Sequence, residues 1–206
     1  MVNIGIVGKG FVGTAVANGM SPGVGFESNI WVYDKEPSKS VNTLDEVINN
    51  GDFIFVSVPT PSNKDGSINL EILKQCIAEI SDAKNEESNP VILIRSTILP
   101  GTSRQLQKQF PKLRIVFNPE FLTERSANFD FISQSRFILG GEKSNTSPVR
   151  DLFKKRFGES LSIIETDYET AEFIKYVCNI FFACKVSFLN EMKLISDNIG
   201  ANWEQV

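Results

Sequence analysis

Seven short apolar runs, separated in most cases by amphipathic stretches, set the pattern of this sequence. The runs are rich in β-branched and aromatic residues and span residues 4–7, 30–33, 53–58, 91–94, 115–117, 137–139 and 161–164. Uninterrupted runs of this kind are typical of strands that are buried on both faces of a sheet. Helical periodicity marks residues 11–20, 70–80, 103–110 and 149–157, whereas the polar residues 81–89 and 141–148 predict surface connections. The repeated β-α pattern predicts an α/β fold with a doubly wound, mainly parallel sheet.

The composition is that of a soluble globular protein and argues against several other classes. Of the 206 residues, 41% are hydrophobic and 22% are charged, which is enough to build a hydrophobic core. A net charge of −4 without any basic tract argues against a nucleic-acid or anionic-membrane surface. Three cysteines at irregular spacing and no histidine predict neither a metal site nor a disulfide framework. Because there is no export signal and no long apolar span, the expected location is the cytoplasm.

A long uninterrupted helix is predicted near the end of the chain. Thr166 and Glu169 have the spacing of a capping box at its start, and residues 170–199 contain neither proline nor glycine. Such a helix would measure about 45 Å. Its apolar residues cover most of its circumference, so it should be covered on several sides.

The domain organisation follows from this helix. We assign residues 1–166 to a first domain and residues 167–206 to the start of a second, helical domain. Because the first domain cannot cover the whole helix, either a partner subunit or a missing C-terminal half is expected to do so. With a partner subunit, the expected contact is a homodimer through residues 167–199.

A glycine fingerprint for a dinucleotide follows the first predicted strand. Gly8, Gly10 and Gly13 form a GxGxxG motif that opens the first predicted helix. In such a motif the first glycine permits a tight turn, the second lets the backbone approach a pyrophosphate, and the third allows close helix–strand packing. The helix N-terminus offers free amides to the anion. The motif predicts a Rossmann-type fold with Phe11 and Val12 also beside the cofactor.

Asp34 indicates which dinucleotide is bound. It lies at the end of the second predicted strand, 21 residues after Gly13, where a carboxylate can accept hydrogen bonds from both ribose hydroxyls. The same carboxylate would repel the 2′-phosphate of NADP, so NAD is the predicted cofactor. Lys35 and Lys39 leave NADP as an alternative, and methyltransferases that bind S-adenosylmethionine share the glycine turn.

Four further segments extend the pattern beyond a generic dinucleotide fold. They are VSVPTP at residues 56–61, RSTILPGT at 95–102, NPEFLTE at 118–124, and EFIKYVCN at 172–179 followed by Asn190 and Glu191. The first three follow predicted strands, where ligands bind in open α/β sheets. Together, and in this order, they resemble the UDP-glucose/GDP-mannose dehydrogenase family, whose NAD-dependent enzymes oxidise the C6 hydroxyl of a nucleotide sugar to a carboxylate.

The resemblance implies roles for individual residues. Thr97 would lie beside the nicotinamide and position a water, for which Glu124 would be the base. Lys175 and Asn179, four residues apart on one face of the long helix, would stabilise an oxyanion. The implied cofactor-binding residues are Gly8, Gly10, Phe11, Val12, Gly13, Asp34, Val58, Pro59, Thr60, Thr97 and Glu124, and the implied substrate-binding residues are Glu120, Phe121, Leu122, Lys175 and Asn179.

The resemblance also implies a reaction to which this chain contributes only part. The expected substrate is UDP-glucose, oxidised to UDP-glucuronate for polysaccharide biosynthesis. In the family a cysteine of a downstream Gly-Gly-x-Cys segment binds the substrate covalently, and the 206 residues do not contain that segment. Cys76 is expected to lie remote from the strand ends, and Cys178 and Cys184 to be buried and inert. The chain is therefore expected to lack the C-terminal nucleotide-sugar domain and to be inactive alone.

Other interpretations remain open. The chain could be a non-catalytic NAD-binding and dimerisation module, and UDP-N-acetylmannosamine or GDP-mannose could replace UDP-glucose as substrate. The 3-hydroxyacid and 6-phosphogluconate dehydrogenases share a Rossmann domain followed by a long helix, but they do not account for residues 118–124. Arg95 stands where a lysine is common in the family, and Arg125 where a small residue is expected. These two departures leave the sugar specificity open.

Overall fold

The computed structural model describes residues 1–206. Helices cover both faces of a single sheet, and a long helix extends from that sheet. The strands are β1 (Val2–Val7), β2 (Ser28–Tyr33), β3 (Phe53–Val56), β4 (Val91–Ile94), β5 (Arg114–Phe117), β6 (Arg136–Gly140) and β7 (Ser162–Thr166). The helices are α1 (Phe11–Gly19), α2 (Leu44–Asn50), α3 (Glu71–Ala83), α4 (Thr102–Gln109), α5 (Ala127–Ile132), α6 (Lys143–Phe157) and α7 (Tyr168–Ile199). The Rossmann-type, doubly wound α/β fold predicted from the sequence is confirmed.

The strand order creates a crevice at one edge of the sheet. The seven strands follow the order β2-β1-β3-β4-β5-β6-β7, and neighbours are parallel except that β5 and β6 pair antiparallel at Phe117 and Gly140. From β1 the chain moves first to β2 on one side and then to β3 on the other. In open α/β sheets such a reversal leaves a ligand crevice beyond the carboxyl ends of the two strands that flank it. Here these strands are β1, which ends at Val7, and β3, which ends at Val56.

Two hydrophobic cores lie on the two faces of the sheet. The helices α1, α5 and α6 cover one face, and α2, α3, α4 and the first turns of α7 cover the other. Phe55 of β3 packs into the first core, whereas its neighbours Ile54 and Val56 pack into the second. All three side chains are fully buried. Because both faces are covered, the strands appear in the sequence as continuous apolar runs.

Helix α6 corrects one expectation. Residues 141–148 were expected to form a surface connection, but α6 begins at Lys143 and contains Pro148. Proline has no N–H to donate to the carbonyl four residues earlier, which is that of Ser144. Arg114 Nη2 donates to this carbonyl oxygen at 3.1 Å instead. A side chain from a neighbouring strand therefore compensates for the proline.

Helix α7 confirms the predicted long helix but not its predicted cap. It spans 32 residues, or about 48 Å. Its N-cap is Asp167, whose Oδ1 accepts a hydrogen bond from the Thr170 amide at 2.8 Å. Thr166 is the last residue of β7, so the expected capping box from Thr166 to Glu169 is wrong. The Glu169 carboxylate instead accepts a hydrogen bond from Arg104 Nη2 at 2.8 Å.

Only the first turns of α7 pack against the sheet. Tyr168 and Ala171 are buried, and the Tyr168 hydroxyl donates to the Ile115 carbonyl at 2.8 Å. Farther along, large apolar side chains are exposed at Val177, Ile180, Phe181, Phe182, Val186, Phe188, Leu189, Leu194, Ile195 and Ile199. No helix in the structure combines the length and apolar character needed to cross a membrane. The start of a second domain at residue 167 stays a prediction.

Candidate functional site

A cleft of about 660 Å³ lies beyond the carboxyl ends of β1, β3 and β4. Among the predicted site residues, it is lined by Gly8, Gly10, Phe11, Val12, Asp34, Val58, Pro59, Thr60, Thr97 and Glu120. These residues come from the glycine motif and from the segments that follow four different strands. The structure therefore gathers most of the predicted cofactor residues around one space.

The three glycines of the motif meet different steric demands. Gly8 has a φ of +91°, and a Cβ there would lie 2.4 Å from the Ser57 carbonyl oxygen. A Cβ on Gly13 would lie 2.0 Å from the Gly8 carbonyl oxygen. A Cβ on Gly10, the N-cap of α1, would meet no atom within 4 Å. Packing therefore requires the first and third glycines, while the second keeps open space in front of a helix N-terminus, which suits a bound pyrophosphate.

Asp34 is held at the edge of the cleft by backbone amides. Its Oδ2 accepts a hydrogen bond from the Lys9 amide at 2.6 Å, and its Oδ1 accepts one from the Glu36 amide at 2.8 Å. A carboxylate oxygen can accept about two hydrogen bonds, so each oxygen retains acceptor capacity. The oriented carboxylate can thus receive the two hydroxyl groups of a ribose.

The loops that follow β3 and β4 are joined to each other. Ser96 Oγ accepts a hydrogen bond from the Val58 amide at 3.1 Å and donates to the Val58 carbonyl oxygen at 2.6 Å. Thr60 Oγ1 donates to the Thr97 carbonyl oxygen at 2.9 Å. These bonds hold Thr60 and Thr97 side by side in the cleft. Ser96 was not predicted as a site residue, although it lies within the RSTILPGT segment.

A buried ion pair connects the loop after β5 to α7. Lys175 Nζ donates to Glu120 Oε1 at 2.9 Å and to the Glu120 carbonyl oxygen. Glu120 Oε2 accepts a hydrogen bond from the Leu122 amide at 2.7 Å. The side chains of Lys175 and Glu120 are only 5% and 13% exposed, and the ammonium lies 5.3 Å from the centre of the Phe121 ring. The sequence assigned Lys175 to an oxyanion and did not indicate that Glu120 contacts it.

The remaining predicted residues do not line the main cleft. Asn179 is exposed, one turn beyond Lys175 on α7. Glu124 is also exposed and borders a separate hollow of about 360 Å³, which shares only Phe11 with the main cleft. Phe121 and Leu122 are half-buried and pack against opposite cores. The two glutamates of the loop therefore border different spaces.

The cysteines differ from the expectations. Cys76 of α3 lines the cleft, so the expectation that it lies remote from the strand ends is wrong. Burial raises the pKa of its thiol to about 12, which keeps it protonated and unreactive at neutral pH. Cys178 is half-buried and Cys184 is exposed, so the expectation of two buried thiols is wrong as well.

Apolar residues that the sequence did not single out complete the cleft. Tyr33 at the end of β2, Leu44 of α2 and Ile72 of α3 line it. Helix α2 was missed in the sequence, although Thr43 and Glu46 form a capping box at its start. That spacing is a recognisable start signal for a helix, and it could have brought Leu44 to attention.

Comparison with known proteins places the chain in a family. It matches the NAD-binding domain of the UDP-glucose/GDP-mannose dehydrogenase family over residues 32–157 and the central domain of the same family over residues 169–206. The chain belongs to this family. NAD is accordingly the cofactor of the domain, and both the family resemblance and the NAD prediction are confirmed.

The relatives of the chain within the UDP-glucose/GDP-mannose dehydrogenase family are longer than the chain itself. It is 31% identical to UDP-glucose 6-dehydrogenase of Rickettsia felis over 173 residues, which cover 82% of the chain and 38% of the relative. A UDP-glucose 6-dehydrogenase of Bacillus subtilis is 32% identical over 163 residues, with coverage of 75% and 36%. An uncharacterised protein of Methanocaldococcus jannaschii is 31% identical, with coverage of 98% and 26%. The chain thus spans less than half the length of these relatives.

Solved structures of the same family share the fold of the chain. GDP-mannose dehydrogenase of Pseudomonas aeruginosa, in a ternary complex, superposes with a TM-score of 0.82 and 25% identity over 98% of this chain and 55% of that protein. A UDP-glucose dehydrogenase of Pyrobaculum islandicum gives a TM-score of 0.82 at 23% identity, over 98% of this chain and 54% of that protein. The second likeness is evidence for the fold alone.

Proposed function

We propose that the chain provides the NAD site and part of the substrate site for oxidation of the C6 hydroxyl of a nucleotide sugar. The observation that carries the proposal is the continuous cleft in which the open N-terminus of α1, the Asp34 carboxylate and the Thr97 and Glu120 loops meet. We propose UDP-glucose as the substrate and UDP-glucuronate as the product, because several relatives are UDP-glucose 6-dehydrogenases. GDP-mannose is the first alternative, and UDP-N-acetylmannosamine is the second.

The cofactor end of the cleft favours NAD over NADP. Asp34 and Glu36 place two carboxylates there, which would repel a 2′-phosphate. The two nearby lysines that could neutralise these carboxylates already form ion pairs. Lys35 Nζ lies 3.5 Å from Glu79 Oε1, and Lys39 Nζ lies 2.5 Å from Glu36 Oε2. When bound, NAD supplies the hydride acceptor for the reaction.

The substrate end of the cleft is proposed to hold the catalytic residues. Lys175 uses two of its three N–H groups on Glu120, which leaves the third for a developing oxyanion. Asn179 on the next turn of α7 is proposed to assist it. Thr97 is proposed to position a water and Glu124 to act as its base, with Phe11 lying between the hollow of Glu124 and the main cleft. Glu120, Phe121 and Leu122 are proposed to contact the sugar.

A second candidate function is a non-catalytic NAD-binding and dimerisation module, which the apolar surface of α7 favours. Phe173, Phe181 and Phe188 are each at least 60% exposed, and apolar surface of this extent marks an interaction site. We propose that residues 167–199 form a homodimer contact. Sedimentation equilibrium should show a dimer, and Phe181→Glu should shift it to monomer. A wild-type chain that stays monomeric at high concentration would contradict this contact.

Calorimetric titration can separate the two functions. The wild-type chain should bind NAD with at least about tenfold higher affinity than NADP. Asp34→Ala should weaken NAD binding by about a hundredfold, because two charge-assisted hydrogen bonds are lost. The NAD-saturated chain is then titrated with UDP-glucose, GDP-mannose and UDP-N-acetylmannosamine. Heat of binding from one nucleotide sugar, lost in Lys175→Met, supports the dehydrogenase function. NAD binding without any sugar binding, together with a dimer in sedimentation that Phe181→Glu abolishes, supports the module.

A further inference from the structure

Arg95 is a cation buried at the inner end of the cleft. It follows β4 directly, lines the cleft and is only 1% exposed. Its Nη1 donates to Asn118 Oδ1, and its guanidinium lies 5.6 Å from the centre of the Phe131 ring. One hydrogen bond and one aromatic contact therefore fix the position of the guanidinium.

The other edge of the Arg95 guanidinium has no partner. Its Nε and Nη2 are buried and make no hydrogen bond. These two nitrogens carry parallel N–H groups on one edge, which is the fork that arginine uses for oxygen acceptors. A buried donor without an acceptor is destabilising. An acceptor for this edge is therefore missing from the protein itself.

The neighbouring polar groups make hydrogen bonds with partners other than this edge. Burial lowers the pKa of Arg95 only to about 10, so the guanidinium stays charged at neutral pH. Glu120 accepts a hydrogen bond from Lys175 at Oε1 and one from the Leu122 amide at Oε2. The side-chain oxygen of Asn118 accepts a hydrogen bond from Arg95 Nη1, and its side-chain nitrogen donates one to the Ile138 carbonyl oxygen. A ligand oxygen in the cleft can supply the acceptor for the free edge.

The position of Arg95 in the cleft indicates which part of the ligand supplies the acceptor. If the adenosine ribose lies at Asp34 and the diphosphate lies at Gly10, the nicotinamide riboside is left for the end that Thr60, Thr97 and Arg95 line. The carboxamide oxygen of the nicotinamide is an acceptor that carries no proton, which matches a residue that can only donate. Resting on the function proposed above, we propose that Arg95 binds the nicotinamide carboxamide oxygen through Nε–H and Nη2–H and so positions the ring.

Binding measurements on the full chain can test this role without turnover. Arg95→Met keeps the length of the side chain but removes the fork. NAD affinity should fall by about tenfold, as expected for a charge-assisted hydrogen bond, while the affinity for ADP-ribose, which lacks the nicotinamide ring, should stay unchanged. Arg95→Lys keeps the charge without the fork, so it should bind NAD more weakly than the wild type.

Cofactor analogues identify the atom that Arg95 contacts, and they need no variant. Thionicotinamide adenine dinucleotide, whose sulfur is a weak acceptor, should bind the wild type about tenfold more weakly than NAD. The 3-acetylpyridine analogue keeps the oxygen and lacks the amide nitrogen, so it should bind like NAD. If Arg95→Met fails to fold, as the absence of a cooperative thermal melt would reveal, these two analogues decide the question on the wild-type chain.

Several results would overturn the role of Arg95. Equal weakening of NAD and ADP-ribose would assign its donors to the diphosphate, and unchanged NAD affinity in Arg95→Met would leave it a structural residue. Equal affinity of the wild type for NAD and the thionicotinamide analogue would also exclude it. A wild-type chain that binds neither NAD nor ADP-ribose would instead refute the proposed function on which this role rests.

Discussion

The ammonium of Lys175 lies 2.9 Å from Oε1 of Glu120, although the two residues are 55 positions apart in the sequence. The contact joins α7 to the loop after β5, and both side chains are largely buried. A buried ion pair adds little to stability by itself, but the removal of one partner leaves an uncompensated charge. The pair therefore makes the orientation of α7 and the shape of this end of the cleft depend on each other.

The first prediction concerns this pair. Lys175→Met should lower the free energy of unfolding by about 3 kcal/mol, because the Glu120 carboxylate would stay buried without its cation. The double variant Lys175→Met with Glu120→Gln should lose clearly less than the sum of the two single variants. Urea unfolding of the four proteins gives the coupling energy.

An exposed lysine on the same helix provides the control. Lys193 forms an ion pair with Asp197, and its side chain is 43% exposed. Lys193→Met should change the free energy of unfolding by no more than about 0.5 kcal/mol, because solvent screens the pair. Similar losses for the two lysine variants, or additive effects in the cycle, would show that the buried pair has no special role.

Elements with strong periodicity could be predicted from the sequence alone. Buried strands such as β3 (Phe53–Val56) and β4 (Val91–Ile94) appear as apolar runs, because both faces of the sheet are covered. The 32 residues of α7 are free of proline and glycine. The glycine motif and Asp34 predicted the cofactor end, because their spacing reflects one local β-α-β unit.

Features that depend on distant residues could not be predicted. Pro148 disfavours a helix locally, yet Arg114 compensates for it from another element. Neither the partner of Lys175 nor the free edge of Arg95 follows from spacing, because both depend on how loops from separate strands pack. The capping box was placed at Thr166 because the pattern fits, whereas the strand β7 extends through that residue.

The second prediction separates two glycines of the motif. Gly10→Ala should leave the melting temperature of the unliganded chain unchanged, because its Cβ meets no atom within 4 Å and its φ of −74° suits alanine. It should weaken NAD binding by about tenfold, since the methyl group would keep the diphosphate from the α1 amides. Thermal melts and calorimetric titration measure the two effects.

Gly13→Ala is the matched variant. Its Cβ would lie 2.0 Å from the Gly8 carbonyl oxygen, so the backbone must shift. We expect a loss of about 2 kcal/mol in the free energy of unfolding even without NAD. Equal effects of the two substitutions on stability would mean that the space in front of Gly10 is not open.

The third prediction concerns the thiols. Iodoacetamide at neutral pH should modify the exposed Cys184 much faster than Cys76, because burial raises the Cys76 pKa to about 12 and limits access. NAD should slow the modification of Cys76 alone, because it is the one cysteine that lines the cleft. Peptide mass spectrometry after timed labelling gives the rates. Rapid labelling of Cys76 in the folded chain would contradict the structure at this position.

The fourth prediction distinguishes the two candidate caps of α7. Asp167→Ala should lower the free energy of unfolding by about 1 kcal/mol, because the Thr170 amide loses its acceptor. Thr166→Val keeps the β-branched shape within β7 and should have less than half of this effect. Urea unfolding of both variants measures the difference. A larger loss for Thr166→Val would restore the capping box that the sequence suggested.

The fifth prediction is the pH dependence of this cap. Hydrogen bonds from the Thr170 amide and hydroxyl lower the pKa of Asp167 from its usual 3.8. The folded state therefore binds this proton more weakly than the unfolded state, so the stabilisation is complete above about pH 4 and is lost as the pH falls through the lowered pKa. Asp167→Asn keeps a capping oxygen but does not titrate. The stability of the wild type relative to Asp167→Asn, measured by urea unfolding, should be constant near neutral pH and fall below about pH 4. A pH-independent difference would mean that the carboxylate charge takes no part in capping the helix.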